Sequence, residues 1–288
     1  MNPEPTHRQL DQASRLRELM RAGGGATTIA VTSGKGGVGK TNVAVNLSLC
    51  LAARGLRVTL IDVDMGLANA DVVLGVSPTY NLSHVLSGLR PLDQVCVRLP
   101  GDVSFISGAS GVDSLANLSE FERHRLVQQL QGLELENDFI LLDCGAGISR
   151  NVLTFALAAN TVIVVTTPEP TAITDAYAVI KLLSRDRHPG AVYLLVNMVR
   201  DRDEAKSVFR RIADVAAKFL KYPIADGGYI LQDMHVESAV RHRSPFVLQF
   251  PRCPAAACLM AVASKFHDGR RSQGGSSGFF RRVVGLFA

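Results

Sequence analysis

"SGKGGVGKT", residues 33–41, decides how the rest of the chain is read. Gly34, four further residues, then Gly39, Lys40 and Thr41 fill every required position of the G-x-x-x-x-G-K-[ST] phosphate loop. The run before it, "TTIAVTS", is apolar and β-rich, while "NVAVNLSLCLAARG" after it has helical periodicity and ends at Gly55, a natural helix stop. Strand, loop and helix thus follow in the order a phosphate cradle needs. Glycines let consecutive backbone N–H groups turn toward phosphate oxygens, and the following helix adds its positive N-terminal end. Gly34, Lys35, Gly36, Gly37, Val38, Gly39, Lys40, Thr41 and Asn42 form the expected nucleotide-binding set. Lys40 is expected to reach the β and γ phosphates, and the Thr41 hydroxyl to hold Mg2+, which prefers hard oxygen ligands. Lys35 is a second lysine that such a loop does not require.

With 288 residues, the chain is long enough for one large α/β domain with a substantial core. Its 47% hydrophobic content and 31 basic against 26 acidic residues describe a globular protein tilted slightly basic, which is not a nucleic-acid signature. Many arginines sit in the terminal segments, Arg8 to Arg21 and Arg270 to Arg282, so the tilt belongs to tails that meet partners. Five cysteines, at 50, 96, 144, 253 and 258, form no C-x-x-C pair and indicate neither a zinc ribbon nor a disulfide scaffold. Cys50 and Cys144 lie in apolar runs and read as buried thiols. Residues 1–25 are polar and charged, unlike a secretory signal, and no apolar run reaches the ~18 residues of a membrane span. A soluble, cytosolic protein is expected.

Beyond the first run, strand-like segments recur at "RVTLIDV" (57–63), "DVSFIS" (102–107), "DFILLDC" (138–144), "TVIVVTT" (161–167) and "AVYLLVN" (191–197). Helical patterns intervene at 119–133, 172–186 and 203–220. The continuous apolar character of the strands predicts burial on both faces, hence an α/β fold with a doubly wound, mostly parallel sheet flanked by helices on both sides. In such sheets ligands bind beyond the carboxyl ends of the strands. Three carboxylates meet that condition: Asp62 and Asp64 in "DVDMGLAN", and Asp143 in "FILLDCGAG", an apolar strand ending in aspartate like a Walker B element. Asp143 is expected to hold Mg2+ directly or through water, and its other reading is a helix N-cap. Gly145–Gly147 would then be a segment that senses the γ phosphate.

Taken together, "KGGVGKT", "DVDMGLAN", "LLDCGAGI" and "PEPTAITDAYAVIKLL" resemble the deviant Walker ATPases of the MinD/ParA class, most of all its FlhG branch, also called FleN, which limits flagellar number. The resemblance covers about residues 26–267 and implies a P-loop NTPase of the SIMIBI type that uses ATP, ADP and Mg2+. It implies that Lys35 reaches across an ATP-sandwiched homodimer to the other subunit's phosphates, its other reading being a surface lysine. A cation supplied in trans would favour closure on exposed phosphate charge and stabilise the transition state. By the same matching, Lys35, Lys40 and Asp64 are catalytic, with Asp64 orienting or deprotonating the attacking water, while Thr41, Asp62 and Asp143 lie at the metal. The alternative for Asp64 is an N-cap for the helix after it. Asn197 matches the asparagine that reads adenine, although a turn asparagine fits equally. Leu231 stands where the family usually has a proline beside the adenine pocket, two residues before the matching Asp233.

The tails carry partner expectations. In "GFFRRVVGLFA", a helical projection gathers Phe279, Phe280, Val283, Val284, Leu286 and Phe287 into an arc of about 160°, with Arg281, Arg282 and Gly285 on the remainder. Residues 279–288 read as an amphipathic membrane-targeting helix, with 279–287 on an anionic lipid surface, tethered by a flexible linker at 268–278. A helix tucked into its own protein is the compatible alternative. At the other end, "THRQLDQASRLRELM" places Thr6 and Gln9 in capping-box spacing. Its Asp11, Gln12, Ala13, Leu16 and Arg17 match the family's activator element, which implies that residues 6–20 engage an FlhF-type GTPase and that 1–25 is a helix with its linker.

The expected protein is a cytoplasmic ATPase, peripheral at the inner face of the bacterial membrane. It dimerises with ATP and times the placing or counting of flagella by hydrolysis. Two alternatives stand beside it: a nucleotide switch that restrains a flagellar transcription activator without turnover, and a DNA-partition ATPase. No direct nucleic-acid partner is expected.

Overall fold

The computed structural model describes residues 25–64, 69–108, 130–270 and 278–287. The expected activator segment at 6–20 and most of the helical pattern at 119–133 lie outside them. Eight strands form one sheet in the order β3-β4-β2-β5-β1-β6-β7-β8. These are β1 (Thr27–Ser33), β2 (Val58–Asp62), β3 (Val97–Arg98), β4 (Ser104–Ile106), β5 (Phe139–Ala146), β6 (Thr161–Thr166), β7 (Ala191–Val199) and β8 (Ala225–Leu231). All neighbours are parallel except the short β3–β4 pair at one edge. The six expected strands are present, and β3 and β8 extend the sheet at its two edges. Every residue of β2 and β6 is buried, as strands covered on both faces must be.

Two helical layers cover the sheet. One contains α1 (Lys40–Ala52), α2 (Ala70–Leu74), α8 (Met234–Arg241), α9 (Phe246–Gln249) and α10 (Pro254–Arg270), packed on Ile29, Val31, Leu60, Leu141 and Ile163. The other contains α3 (Leu82–Leu86), α4 (Leu92–Val95), α5 (Arg150–Ala158), α6 (Pro170–Arg185), α7 (Arg202–Val215) and α11 (Phe279–Phe287), packed on Ala30, Ile61, Leu142, Val162 and Leu194. The alternation of these residues along each strand sends successive side chains to opposite cores. α10 runs to Arg270, three residues into the expected linker at 268–278. Among the described residues no helix is long and apolar enough to cross a membrane.

α11 is part of the second layer. Phe279 is fully buried, Phe280 and Val283 nearly so, and the helix lies against α5. The buried Glu134 carboxylate accepts hydrogen bonds from the N–H groups of Gly278 (2.6 Å) and Phe280 (3.0 Å), placing a negative charge at the positive end of α11. Arg282 Nε donates to Ala158 O (2.9 Å) at the end of α5. The compatible alternative for this helix, tucked against its own protein, is the arrangement seen.

Candidate functional site

The site sits where the sheet changes direction. β1 lies between β5 and β6, so the loop leaving its carboxyl end opens into the crevice of the topological switch point. In register, Val31 faces Asp143 and Asp143 faces Asp62, which brings both carboxylates to one edge beside the loop. Between Val31 and Ser33 the pairing shifts by one residue, the extra one lying on β5 just after Asp143. There Gly147 N–H donates to Ser33 O (2.8 Å), tying the expected γ-phosphate sensor to the start of the phosphate loop.

Gly37 (φ 81°) and Gly39 (φ 86°) take the left-handed conformation that curls the loop, and Gly39 is the N-cap of α1. The first turn of α1 carries no acidic residue, so its positive end is open to an anion. Gly34 lies so close to the backbone of Asp175 in α6 that a Cβ would collide with it. The loop is therefore fixed by close backbone approach on one side. On the other it is held by Asn197, whose Nδ2 donates to Val38 O (2.8 Å).

Lys40 and Lys35 take different positions. Lys40 Nζ is buried, 2.8 Å from Asp143 Oδ1 and 3.3 Å from Thr41 Oγ1. Burial opposes its charge, yet the Asp143 carboxylate outweighs that and holds the lysine above its ordinary pKa. Lys35 instead points along the outside of the loop, pairing with Glu169 Oε2 at 2.6 Å and Thr171 Oγ1 at 3.0 Å. It lines an open cavity of about 460 Å³ with Gly37, Glu169, Met198, Arg200 and Gln232.

The carboxylates divide the remaining roles. Asp143 is fully buried and among the described residues its Oδ2 has no hydrogen-bond partner, so a hard cation beside the Thr41 hydroxyl fits an oxygen otherwise left unsatisfied. Burial pushes its pKa up, which Lys40 counters. The N-cap alternative for Asp143 is not seen, because Ser149 precedes α5. Asp62 accepts N–H bonds from Asp64 (2.9 Å), Asn69 (3.1 Å) and Ala70 (3.1 Å), so Asp62 rather than Asp64 braces the start of α2. Burial, then the nearby Asp143 carboxylate, raises its pKa to about 7. Asp64 is half-buried, and a Cβ on Gly145 would lie 3.2 Å from its Oδ1, so it flanks the segment after Asp143. Residues 65–68 of the "DVDMGLAN" motif lie outside the described ones.

At the expected adenine end, Leu231 pairs with Val199 and packs into the core, while Gln232 faces the cavity. Asp233 accepts from His235 N (2.9 Å) and Ala255 N (3.1 Å), coupling the starts of α8 and α10. Sequence reasoning had not singled out Glu169, Met198 or Gln232. Met198 holds φ 57° beside Gly39, a conformation that periodicity cannot signal.

A family model described as an AAA domain matches residues 26–187. The chain is 42% identical over 237 residues to the antiactivator FleN of Pseudomonas aeruginosa, covering 82% of this chain and 85% of that one. It belongs to the FlhG/FleN branch of the MinD/ParA-class ATPases. The flagellum site-determining protein YlxH of Helicobacter pylori is 38% identical, with 72% of each chain covered. Among solved structures, the septum site-determining protein MinD of Pyrococcus horikoshii, complexed with Mg-ADP, superposes with TM-score 0.68 at 25% identity, covering 84% of this chain and 96% of that one. This FlhG/FleN-branch chain is accordingly an ATPase that works with ATP, ADP and Mg2+.

Proposed function

We propose that this chain regulates the number or placement of flagella by cycling between a nucleotide-free or ADP-bound monomer and an ATP-bound homodimer that associates with the membrane. The observation that carries the reading is the separation of the two loop lysines. Lys40 occupies the cradle, so Lys35 is redundant for its own nucleotide, and its surface position suits it to a phosphate presented by a second copy. Within the cradle, backbone N–H groups of Gly36 to Lys40 would bind the phosphates while Lys40 leaves Asp143 for their oxygens. Mg2+ held by Thr41 and Asp143, with Asp62 beside it, would offset charge on the phosphates. Asp64 would orient the attacking water, and Asn197 would serve the adenine side by fixing the loop.

Once γ-phosphate charge is lost, the trans attraction to Lys35 weakens and the pair separates. Release of α11 from its groove would expose Phe279, Phe280 and Val283 to an anionic lipid surface, and two such helices on one dimer would bind with avidity. Residues 6–20 are proposed to engage an FlhF-type GTPase, with a flagellar transcription activator as a further partner.

Light scattering after size-exclusion, with ATP or ADP, tests this on wild type and Lys35→Ala, followed by vesicle co-sedimentation. A dimer only with ATP, lost in Lys35→Ala together with vesicle binding, is expected. A variant that still dimerises would defeat the trans role of Lys35.

A further inference from the structure

The end of the sheet opposite the nucleotide cradle carries an exposed aromatic ring among cations. α7 finishes in a π-helical turn, Ala216–Leu220, closed by Lys221 in the left-handed conformation (φ 52°). Phe219 on that turn is 67% exposed, a large apolar ring held in water by a rigid corner. Lys218 Nζ lies 5.4 Å from its ring centroid. Lys218, Lys221 and Arg187 are all exposed. The Arg187 loop is drawn against this corner because Tyr222 Oη donates to His188 O (3.4 Å). None of these three cations forms an ion pair among the described residues. The neighbouring acidic groups are Asp186, already paired with Arg185 (2.7 Å), Asp214, one helical turn back along α7, and Asp226 at the start of β8, whose Oδ1 accepts from Gly228 N (2.8 Å). The corner is therefore electropositive around one protruding ring.

The same end is where α11 begins. Glu134, which holds its first N–H groups, and Ala158, which accepts from Arg282, both lie at the amino ends of the strands, as do the starts of β7 and β8 beside the corner. α10 also terminates there, with the exposed Lys265 donating to Asp226 O (2.6 Å) at the start of β8.

We infer that Phe219, with Lys218, Lys221 and Arg187, is a fixed contact for an anionic lipid surface, separate from α11. A protruding ring fits the headgroup–acyl boundary, and lysine and arginine heads fit anionic headgroups. The contact deepens the membrane reading above and rests on it. Its consequence is orientation: with α11 alone the body would swing on its tether, whereas a second, rigid contact restricts how a subunit sits on the bilayer.

The chain contains no tryptophan, so Phe219→Trp in the full-length protein is a sole reporter. With ATP and vesicles of phosphatidylglycerol and phosphatidylcholine, its emission should shift to the blue and be quenched by brominated lipid. In the otherwise wild-type chain, Lys218→Ala with Lys221→Ala should need about tenfold more lipid for half-maximal binding. ATPase turnover without vesicles should be unchanged in both variants. Vesicle binding with an unshifted emission, or with lipid demand unaltered in the double variant, overturns the corner and leaves the membrane reading intact. Absence of vesicle binding by wild type overturns both. An emission shift produced by a protein partner and not by vesicles assigns the corner to protein and also overturns the inference.

Discussion

Lys35 Nζ lies 2.6 Å from Glu169 Oε2, so the lysine proposed to act on a second subunit is held by a carboxylate of its own. Both side chains are largely exposed, 40% and 63%, and such pairs contribute at most ~1 kcal/mol. That is a restraint the charge of a facing triphosphate can outbid. Glu169→Gln should therefore lower the ATP concentration for half-dimerisation by no more than about fivefold, read by analytical ultracentrifugation. Loss of the dimer in this variant would show that Glu169 is needed in the closed state instead of restraining the open one.

The pair formed by Lys40 and Asp143 is of the opposite kind, with side chains only 8% and 1% exposed. Removing one member of a buried pair leaves a charge without compensation, at a cost of about 3–5 kcal/mol. Asp143→Asn should lose about 3 kcal/mol of stability in urea without nucleotide and should bind ATP with little response to Mg2+. Asp64→Ala should keep nucleotide-free stability and ATP binding while losing turnover by about a hundredfold or more. If Asp64→Ala hydrolyses ATP normally, its proposed role at the water is wrong. Whether flagellar control survives in that variant separates a timer from a pure switch.

How much of this was legible beforehand follows from which signals are local. The phosphate loop, the apolar strands and their terminal aspartates are contiguous patterns, and the sheet places them side by side as doubly wound topology requires. β8 was not legible because "ADGGYIL" opens with alanine, aspartate and two glycines, residues that argue against a strand. Gly227 is needed there, since a Cβ would approach Leu194 O at 2.8 Å. β3, with two residues, falls below any periodicity. Periodicity gave α11 its two faces, but not the groove that takes the apolar one, because Glu134 and Ala158 are more than a hundred residues away in sequence. The same distance hid the Lys35–Glu169 pair.

Glu134 provides a direct handle on α11. Its carboxylate satisfies two N–H groups at the helix start and opposes the helix dipole, together worth about 1–2 kcal/mol. Glu134→Gln should therefore raise the undocked fraction of α11 by about tenfold without altering the nucleotide site. Limited proteolysis within 268–278 should quicken by a similar factor, and ATP-independent vesicle binding should rise. Unchanged cleavage would mean that the burial of Phe279, Phe280 and Val283 alone sets the docking equilibrium.

His188 supplies a pH test of the same layer. It lies buried beside α5, with Nδ1 3.3 Å from Leu157 O, and among the described residues Nε2 has no partner. Burial holds its pKa below the ordinary 6.5, and the nearby Arg282 guanidinium acts in the same direction. The unfolded chain therefore binds the proton first as pH falls. The stabilising contribution is complete above pH 6.5 and is lost as acidity increases toward the depressed folded value. Between those limits the slope for one proton approaches 1.4 kcal/mol per pH unit at about its steepest. His188→Asn should remove that component, so the difference between wild type and variant in urea midpoint should vary below pH 6.5 and be constant above it. A difference independent of pH throughout would show that the imidazole is protonated equally in the folded and unfolded chain.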